Sequence, residues 1–335
     1  MNTKDFWKSF KKRINYYKRI FSAYGKHKES SLSFWHEKPQ VNYEMDFNNP
    51  ATGYYMTFYE KAFYKGPFDK NGIPLLDYKG TIGKQYNPIA ISQYALGLYN
   101  LYIKEKDSIL LKKFLNQVKW LSENLERNKH GVYVWMHHFD WEYQGTLKSP
   151  WYSSLAQGNG ISVLVRAYLL TGEKKYIDLA ILAFDSFRKT IDEGGVTFID
   201  KNGNVWFEEY IIPPYSHVLN GFIWSIWGVY DFYKVTEDQF AKNLFIRSTE
   251  TLSKNLAKYD IGFWSLYALS PTKLLKLIAS PFYHELHIVQ LEIMYLLTSQ
   301  ETFKIFRDKW LSYKNSFWKR NLALIYKILF KLLYY

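Results

Sequence analysis

Three polar clusters carry the residue types that chemistry needs. Residues 151–160 read WYSSLAQGNG and place Gln157 and Asn159 beside aromatics. Residues 206–220 read WFEEYIIPPYSHVLN and supply Glu208, Glu209, Tyr210, His217 and Asn220. Residues 259–290 include YDIGFWSLYALS and SPFYHELHIVQ, with Tyr267, Tyr283, His284 and His287. Each cluster mixes flat rings with carboxylates, amides or imidazoles. That is the composition of a carbohydrate groove, where rings stack on sugar faces and polar groups read hydroxyls.

Other chemistries fit less well. His284 and His287 stand at i, i+3 and could ligate a metal with Glu285 or His217. A helix-start His bonded to backbone is the commoner arrangement. His137 and His138, with Asp140 and Glu142, form a second set, but neighbours on a strand point to opposite faces. Structure or sugar contact is the expectation for that set. The chain contains no GxxxxGK[ST], GxSxG or HExxH motif. It also has no Cys, which excludes a disulfide framework and thiolate metal sites.

The clusters sit at regularly spaced helix starts. Gln93, Gln157, Asn220 and His284 can be laid under one another at spacings of 64, 63 and 64 residues. Each opens an apolar helix that is followed by a polar turn and a more charged, amphipathic helix. This pattern predicts inner and outer rings of an α/α toroid, an incomplete barrel of helix hairpins over 86–300. The N-terminal ends of the inner helices would gather the clusters at one mouth. Residues 31–85, rich in turn signals and in aromatic runs such as Tyr54–Tyr59, predict a small β-containing lead-in. Residues 131–145 and 195–210 predict β-hairpin insertions, the second turning at Asn202-Gly203 or Gly203-Asn204. The expected fold class is therefore mainly α.

The chain has 335 residues and a net charge of +13, which by itself suggests a polyanion-binding body. Position removes that suggestion. Residues 1–30 hold nine Lys/Arg and two Asp/Glu, and 301–335 hold eight and two, leaving 27 of each sign between them. The body is neutral and a nucleic-acid partner is not expected. Both ends, 1–30 and 301–335, predict basic amphipathic helices. They either pack on the body with Lys toward solvent or adsorb to an anionic membrane surface. Neither has about 20 uninterrupted apolar residues, and charges interrupt every h-region near the start. The expected location is cytoplasmic, or peripheral at the inner face of the membrane.

WYSSLAQGNGISVLVRAYLLTGEKKY, WFEEYIIPPYSHVLNGFIWSIWGVYD and SPFYHELHIVQLEIMYLLT together resemble the C-terminal domain of the D-glucuronyl C5-epimerases. The resemblance covers roughly 80–300 and is strongest in 150–232 and 280–298. It implies a β-containing part followed by an α/α barrel, and inversion of C5 of glucuronate in a heparosan-type polymer to give iduronate. It also implies catalytic roles for Glu209 and Tyr210 of the EEY motif, for Tyr267, and for Tyr283. Ser270 departs from the animal members, which carry Arg three residues after the second of these tyrosines. A homodimer is the family's habit.

That reaction removes a proton α to a carboxylate and returns one on the other face. It needs a base, an acid opposite, and groups that hold the enediolate charge. It demands no metal or other cofactor. Tyr267 and either Tyr210 or Glu209 would stand on opposite faces, with Tyr283 positioning substrate or sharing a proton. Gln157 and Asn159 are candidates to bind substrate. Arg166, His217, Asn220, His284 and His287 are candidates to hold the carboxylate. A uronan lyase shares the first step. A glycoside hydrolase would pair Glu209 with Asp140 or Glu285. A non-catalytic carbohydrate-binding protein at the membrane is the third alternative.

Overall fold

The computed structural model describes residues 34–35, 37–270 and 275–334. The helix expected over 1–30 lies outside the described residues. Four helix pairs follow one another: α1 (Pro88–Glu105) with α2 (Ser108–Glu123), α3 (Ser154–Thr171) with α4 (Lys174–Arg188), α5 (Leu219–Thr236) with α6 (Gln239–Asn255), and α7 (Pro281–Thr298) with α8 (Glu301–Asn315). The odd-numbered helices touch in the order α1, α3, α5, α7, and each even-numbered helix packs outside its predecessor. This is the expected α/α toroid.

Burial explains the two rings. From Ser154 to Ala167 every residue of α3 is buried, and α5 is buried from Leu219 to Phe232. By contrast α2 buries only Phe114, Gln117, Val118 and Leu121, one stripe at spacings of three and one. Two glycines bring the inner helices close. A Cβ at Gly158 would stand 2.8 Å from Ser225 Cα, and one at Gly228 would collide with the Gly158 backbone. The α3–α5 crossing is thus backbone on backbone.

The inner helices start where the clusters need them. Asn87 caps α1 through the Ile89 N–H (2.9 Å), Ser153 caps α3, and Ser280 caps α7, with Pro88 and Pro281 at the first position. No side chain caps α5. Instead the Leu219 N–H donates to the carbonyl of Tyr267 (3.1 Å). An orphan helix-end donor therefore pins the segment that carries Tyr267.

The strands are few and short. β1 (Leu75–Asp77) pairs with β2 (Lys84–Tyr86) in the lead-in. β4 (Tyr133–His137) lies between β3 (Leu125–Arg127) and β7 (Trp151–Tyr152). β5 (Trp141–Glu142) and β6 (Thr146–Leu147) form a hairpin, so 131–145 contributes to two sheets and is not one hairpin. β8 (Thr197–Ile199) pairs with β9 (Val205–Phe207) around a turn at Asp200–Asn204, where Gly203 takes φ +78°.

The run Tyr54–Tyr59, read as β, makes only the bridge Val41–Met56. Tyr54, Tyr55, Met56 and Phe58 are buried and enter the ring, while Tyr59 is exposed. The Tyr55 hydroxyl donates to Asp231 on α5 (2.6 Å), and the Phe58 backbone lies against Gly97 on α1. The lead-in is chiefly a plug in the toroid.

Residues 301–335, read as one helix, divide into α8 and α9 (Phe317–Tyr334). α8 completes the fourth pair and buries Phe303, Trp310 and Tyr313. α9 does not wear its lysines toward solvent as simple packing would require. Lys319 donates to the Gly262 carbonyl and Lys327 to that of Ile278, while Trp318, Ile325 and Leu329 face outward. Among the described residues no helix is long and apolar enough to cross a membrane.

Candidate active site

At the mouth of the toroid lies a cleft of about 1020 Å³, its open side included. The lead-in supplies Met56, Phe58 and Lys61. β4 and β7 supply His137 and Trp151, and the helix starts supply Gln93, Asn220 and Tyr283.

Glu209 stands just past β9 and points into the cleft. Strand alternation sends its neighbour the other way. Glu208 is buried, and its carboxylate accepts from the His217 backbone N–H and bonds the His217 ring at Nδ1. Glu209 Oε2 has no protein partner. Burial pushes its carboxyl up to about 7. A hydrogen bond from Tyr210 opposes that shift, and the charge of Glu208 adds to it. A carboxyl near 7 exchanges protons readily at neutral pH.

Three tyrosines gather at this carboxyl. Tyr210 stacks on Tyr143 of the β5–β6 hairpin at 4.1 Å. Tyr267 meets Tyr283 edge to face at 5.0 Å. Burial holds Tyr210 and Tyr267 well above the usual phenol range, and the Glu209 charge pushes both further. They are neutral donors at physiological pH. The four residues expected by resemblance to be catalytic are thus brought together, from the β9–α5 loop, the 259–280 segment and α7.

The expected substrate-binding residues divide. Asn220 lines the cleft with Oδ1 unpartnered. The others are tied into the body. Gln157 bridges the Trp135 N–H and C=O (3.1 and 3.3 Å). Asn159 accepts from Tyr54 in the plug. Arg166 is completely buried, bonded to Asp231 (2.6 Å), the Gly53 carbonyl (2.8 Å) and the Ser162 carbonyl. It joins α3, α5 and the plug and does not reach the cleft. His217 is stacked on Trp206 (4.2 Å) and held by Glu208. His284 donates from Nε2 to the Trp310 carbonyl (3.0 Å) and accepts from Ser265, whose hydroxyl also meets His287. Burial pushes His284 down to about 3 and His287 well below its usual range. Both are neutral fasteners between the 259–280 segment and α7.

Asp140 is tied to Lys148 and Glu285 to Lys314, both away from the cleft, so neither offers Glu209 the second carboxylate of a hydrolase. Among the described residues no three His, Asp or Glu are grouped to hold a metal.

Gln93 and Trp224 are not among the expected site residues, and His137 is expected to serve structure or sugar contact. All three line the cleft, and Gln93 Oε1 and Nε2, both His137 ring nitrogens and Trp224 Nε1 lack protein partners. Burial holds His137 at about 3, hence neutral, and it stacks on Trp151 at 3.9 Å. His138 points away to Glu126, as strand alternation requires. Gln93 was legible, being the first residue of the repeat register. Lys61 also lines the cleft, paired with Glu37 and donating to the Phe34 carbonyl (2.5 Å). Burial pulls its ammonium down and Glu37 counters that. The buried polar atoms aimed into the cleft are a set that a polyhydroxylated ligand would satisfy.

The fold and cleft define an α/α-toroid protein whose mouth holds an aromatic-lined cleft around a buried carboxyl. Residues 126–312 match the family described as D-glucuronyl C5-epimerase C-terminus, and the chain belongs to that family. It is 30% identical to the D-glucuronyl C5-epimerase of Caenorhabditis elegans over 214 residues, 60% of this chain and 34% of that protein. The chain therefore spans about a third of that relative's length. It is 26% identical over 84% of its length to the uncharacterized protein MJ1128 of Methanocaldococcus jannaschii, covering 91% of that protein. Among solved structures, a family 76 mannosidase, Bt3792 of Bacteroides thetaiotaomicron, aligns over 71% of this chain and 61% of its own, with 16% identity and TM-score 0.46. An unsaturated glucuronyl hydrolase of Bacillus sp. GL1 aligns over 68% and 60%, with 16% identity and TM-score 0.44.

Proposed function

We propose that the protein inverts C5 of D-glucuronate residues in a heparosan-like polysaccharide, giving L-iduronate. The observation that carries this reading is Glu209, a cleft carboxyl raised by burial to about 7 and surrounded by neutral tyrosines. In the proposed step Glu209 takes the C5 proton and its electron pair passes into the carboxylate as an enediolate. A tyrosine on the other face then returns a proton to C5. Tyr283 is assigned that role, because it lines the cleft from α7, a different element from Glu209. Tyr267 supports its ring, and Tyr210 donates to Glu209. The enediolate would be met by N–H groups of His137 and Trp224, whose ring nitrogens have no protein partner.

The test is proton NMR of heparosan and related uronans incubated with the protein in heavy water. Deuterium at C5 with appearance of iduronate is the expected result. Glu209→Gln and Tyr283→Phe should each slow exchange by about 10²- to 10⁴-fold. Absence of exchange with every uronan would overturn the reading. Unsaturated uronate in place of iduronate would make the protein a lyase.

A further inference from the structure

α9 turns most of its large apolar side chains outward. Eight large apolar side chains on it are exposed, led by Trp318 (80%), Leu333 (63%) and Phe317 (62%). At 100° per residue they occupy one arc of about half the helix circumference. The opposite arc faces the protein, burying Ala323 and Phe330 there together with polar side chains. Lys319 donates to the Gly262 carbonyl (3.3 Å) and lies 3.9 Å over the Tyr313 ring. Lys327 donates to the Ile278 carbonyl, and the hydroxyls of Tyr326 and Tyr334 accept from the Lys276 and Leu275 N–H groups (2.9 and 3.0 Å). A surface helix in water shows the reverse polarity. An apolar face this extensive, on a helix held from behind by four polar bonds, marks a binding surface.

The charge of α9 selects its partner. Of the four cations in residues 317–334, Lys319 and Lys327 turn to the body, Arg320 and Lys331 lie along the edge of the apolar arc, and there is no Asp or Glu to oppose them. Arg320 is exposed at the flank of the apolar arc. A second copy of this chain across a two-fold axis would bring the same patch, and its basic flank, against itself. An anionic lipid surface neutralises that flank and takes up the aromatic and aliphatic face. The helix is not long and apolar enough to span. We propose that α9 is a membrane-surface anchor, its outward face entering the headgroup region of an anionic bilayer. The four inward bonds tie α9 to residues 262–278, the segment that carries Tyr267, so the anchor would fix the cleft's orientation to the lipid surface. The inference stands on α9 alone and does not depend on the reaction catalysed.

The experiment is co-sedimentation of the full chain with sucrose-loaded vesicles of phosphatidylcholine, with and without phosphatidylserine. The expected result is pelleting that needs the anionic lipid and weakens with salt. The triple variant Leu322→Glu, Ile325→Glu, Leu329→Glu should lose at least about tenfold in partitioning, with helix content by circular dichroism unchanged. Trp318→Ser, a single change at a very exposed site, should weaken partitioning without any effect on folding. Ile246→Glu, an equally conservative test of an exposed apolar residue on α6, should bind as the parent does. A parent protein that stays in the supernatant with anionic vesicles overturns the proposal. So does a triple variant that still pellets. Conversion of a dimer to a monomer by the triple variant, without vesicle binding by the parent, would assign the face to self-association instead.

Discussion

Glu209 rests on Gly221: a Cβ at Gly221 would overlap Glu209 Oε2 and come within 2.9 Å of its Cβ and 3.0 Å of its Cδ. The third residue of α5 thus fixes where the cleft carboxyl stands. Gly221→Ala must push Glu209 away, because the helix backbone cannot retreat from the ring. Overpacking of this kind costs about 1–3 kcal/mol in stability. The larger effect should be on the chemistry, since misplacing a reacting group by about 1 Å can cost about 10²-fold. C5 exchange by Gly221→Ala should fall by that order while urea denaturation shows a folded protein. An unchanged exchange rate would remove Glu209 from the reaction.

The raised carboxyl also sets a pH dependence. Glu209 is held at about 7 in the folded protein, against an ordinary value of 4.5. The folded protein binds this proton more tightly than the unfolded chain. The resulting stabilisation is full below pH 4.5 and is lost as pH rises through about 7. Glu209→Gln removes the burden of the buried charge and should stabilise the protein above pH 7 by up to about 3 kcal/mol. At pH 4.5 it should change little. Exchange by the parent should rise with pH through about 7 as the base form appears. Urea melts at pH 5 and 8, with a pH–rate profile, measure both.

Arg166 and Asp231 form a completely buried pair at 2.6 Å, completed by the Tyr55 hydroxyl and by the Tyr54 ring 4.9 Å from the guanidinium. Removing one partner leaves the other charged and unpaired. Asp231→Asn or Arg166→Met should therefore cost about 3–5 kcal/mol. The KM for polymer should stay unchanged in whatever fraction folds, because neither residue reaches the cleft. Denaturant unfolding and KM read separately distinguish this joint from a substrate contact.

These residues show what the sequence could and could not convey. The toroid was legible because an inner helix buried all round and an outer helix buried on one stripe have different residue patterns, as in α3 and α2. The gathering of Glu209, Tyr210, Tyr267 and Tyr283 was legible because the family resemblance, carried by long motifs, implies roles for all four. The partners of Arg166, Gln157, His284 and His287 were not. A polar residue on a buried helix is the same letter whether it faces ligand or a backbone carbonyl. Ser265 between two imidazoles and Trp135 across Gln157 are contacts over 19 to 22 residues of chain that no local pattern specifies. The Tyr54–Tyr59 run misled for a related reason. Aromatic residues suit strands, but here Phe58 adopts φ +46° and the run fills the ring as a plug. The inward lysines of α9 escaped notice because a helix pattern gives two faces without saying which one faces the body.

Gln93 makes the most discriminating case for the cleft. Its side-chain oxygen and nitrogen are both buried and unpartnered at the wall formed by α1. A buried amide without partners is a burden on the free protein, and a cleft that binds hydroxyls relieves it on binding. Gln93→Leu should therefore have opposite effects on the two states. The free protein should gain about 1 kcal/mol in stability, the scale of an unsatisfied polar group removed. Polymer binding should weaken about tenfold or more, because a site built to hydrogen-bond a hydroxyl loses that contact. Gln157→Leu supplies the contrast: its amide is already bonded to Trp135, so it should destabilise the fold and leave KM unchanged. Equal and purely destabilising effects of the two substitutions would mean that Gln93 is a structural residue and that sugar does not reach α1.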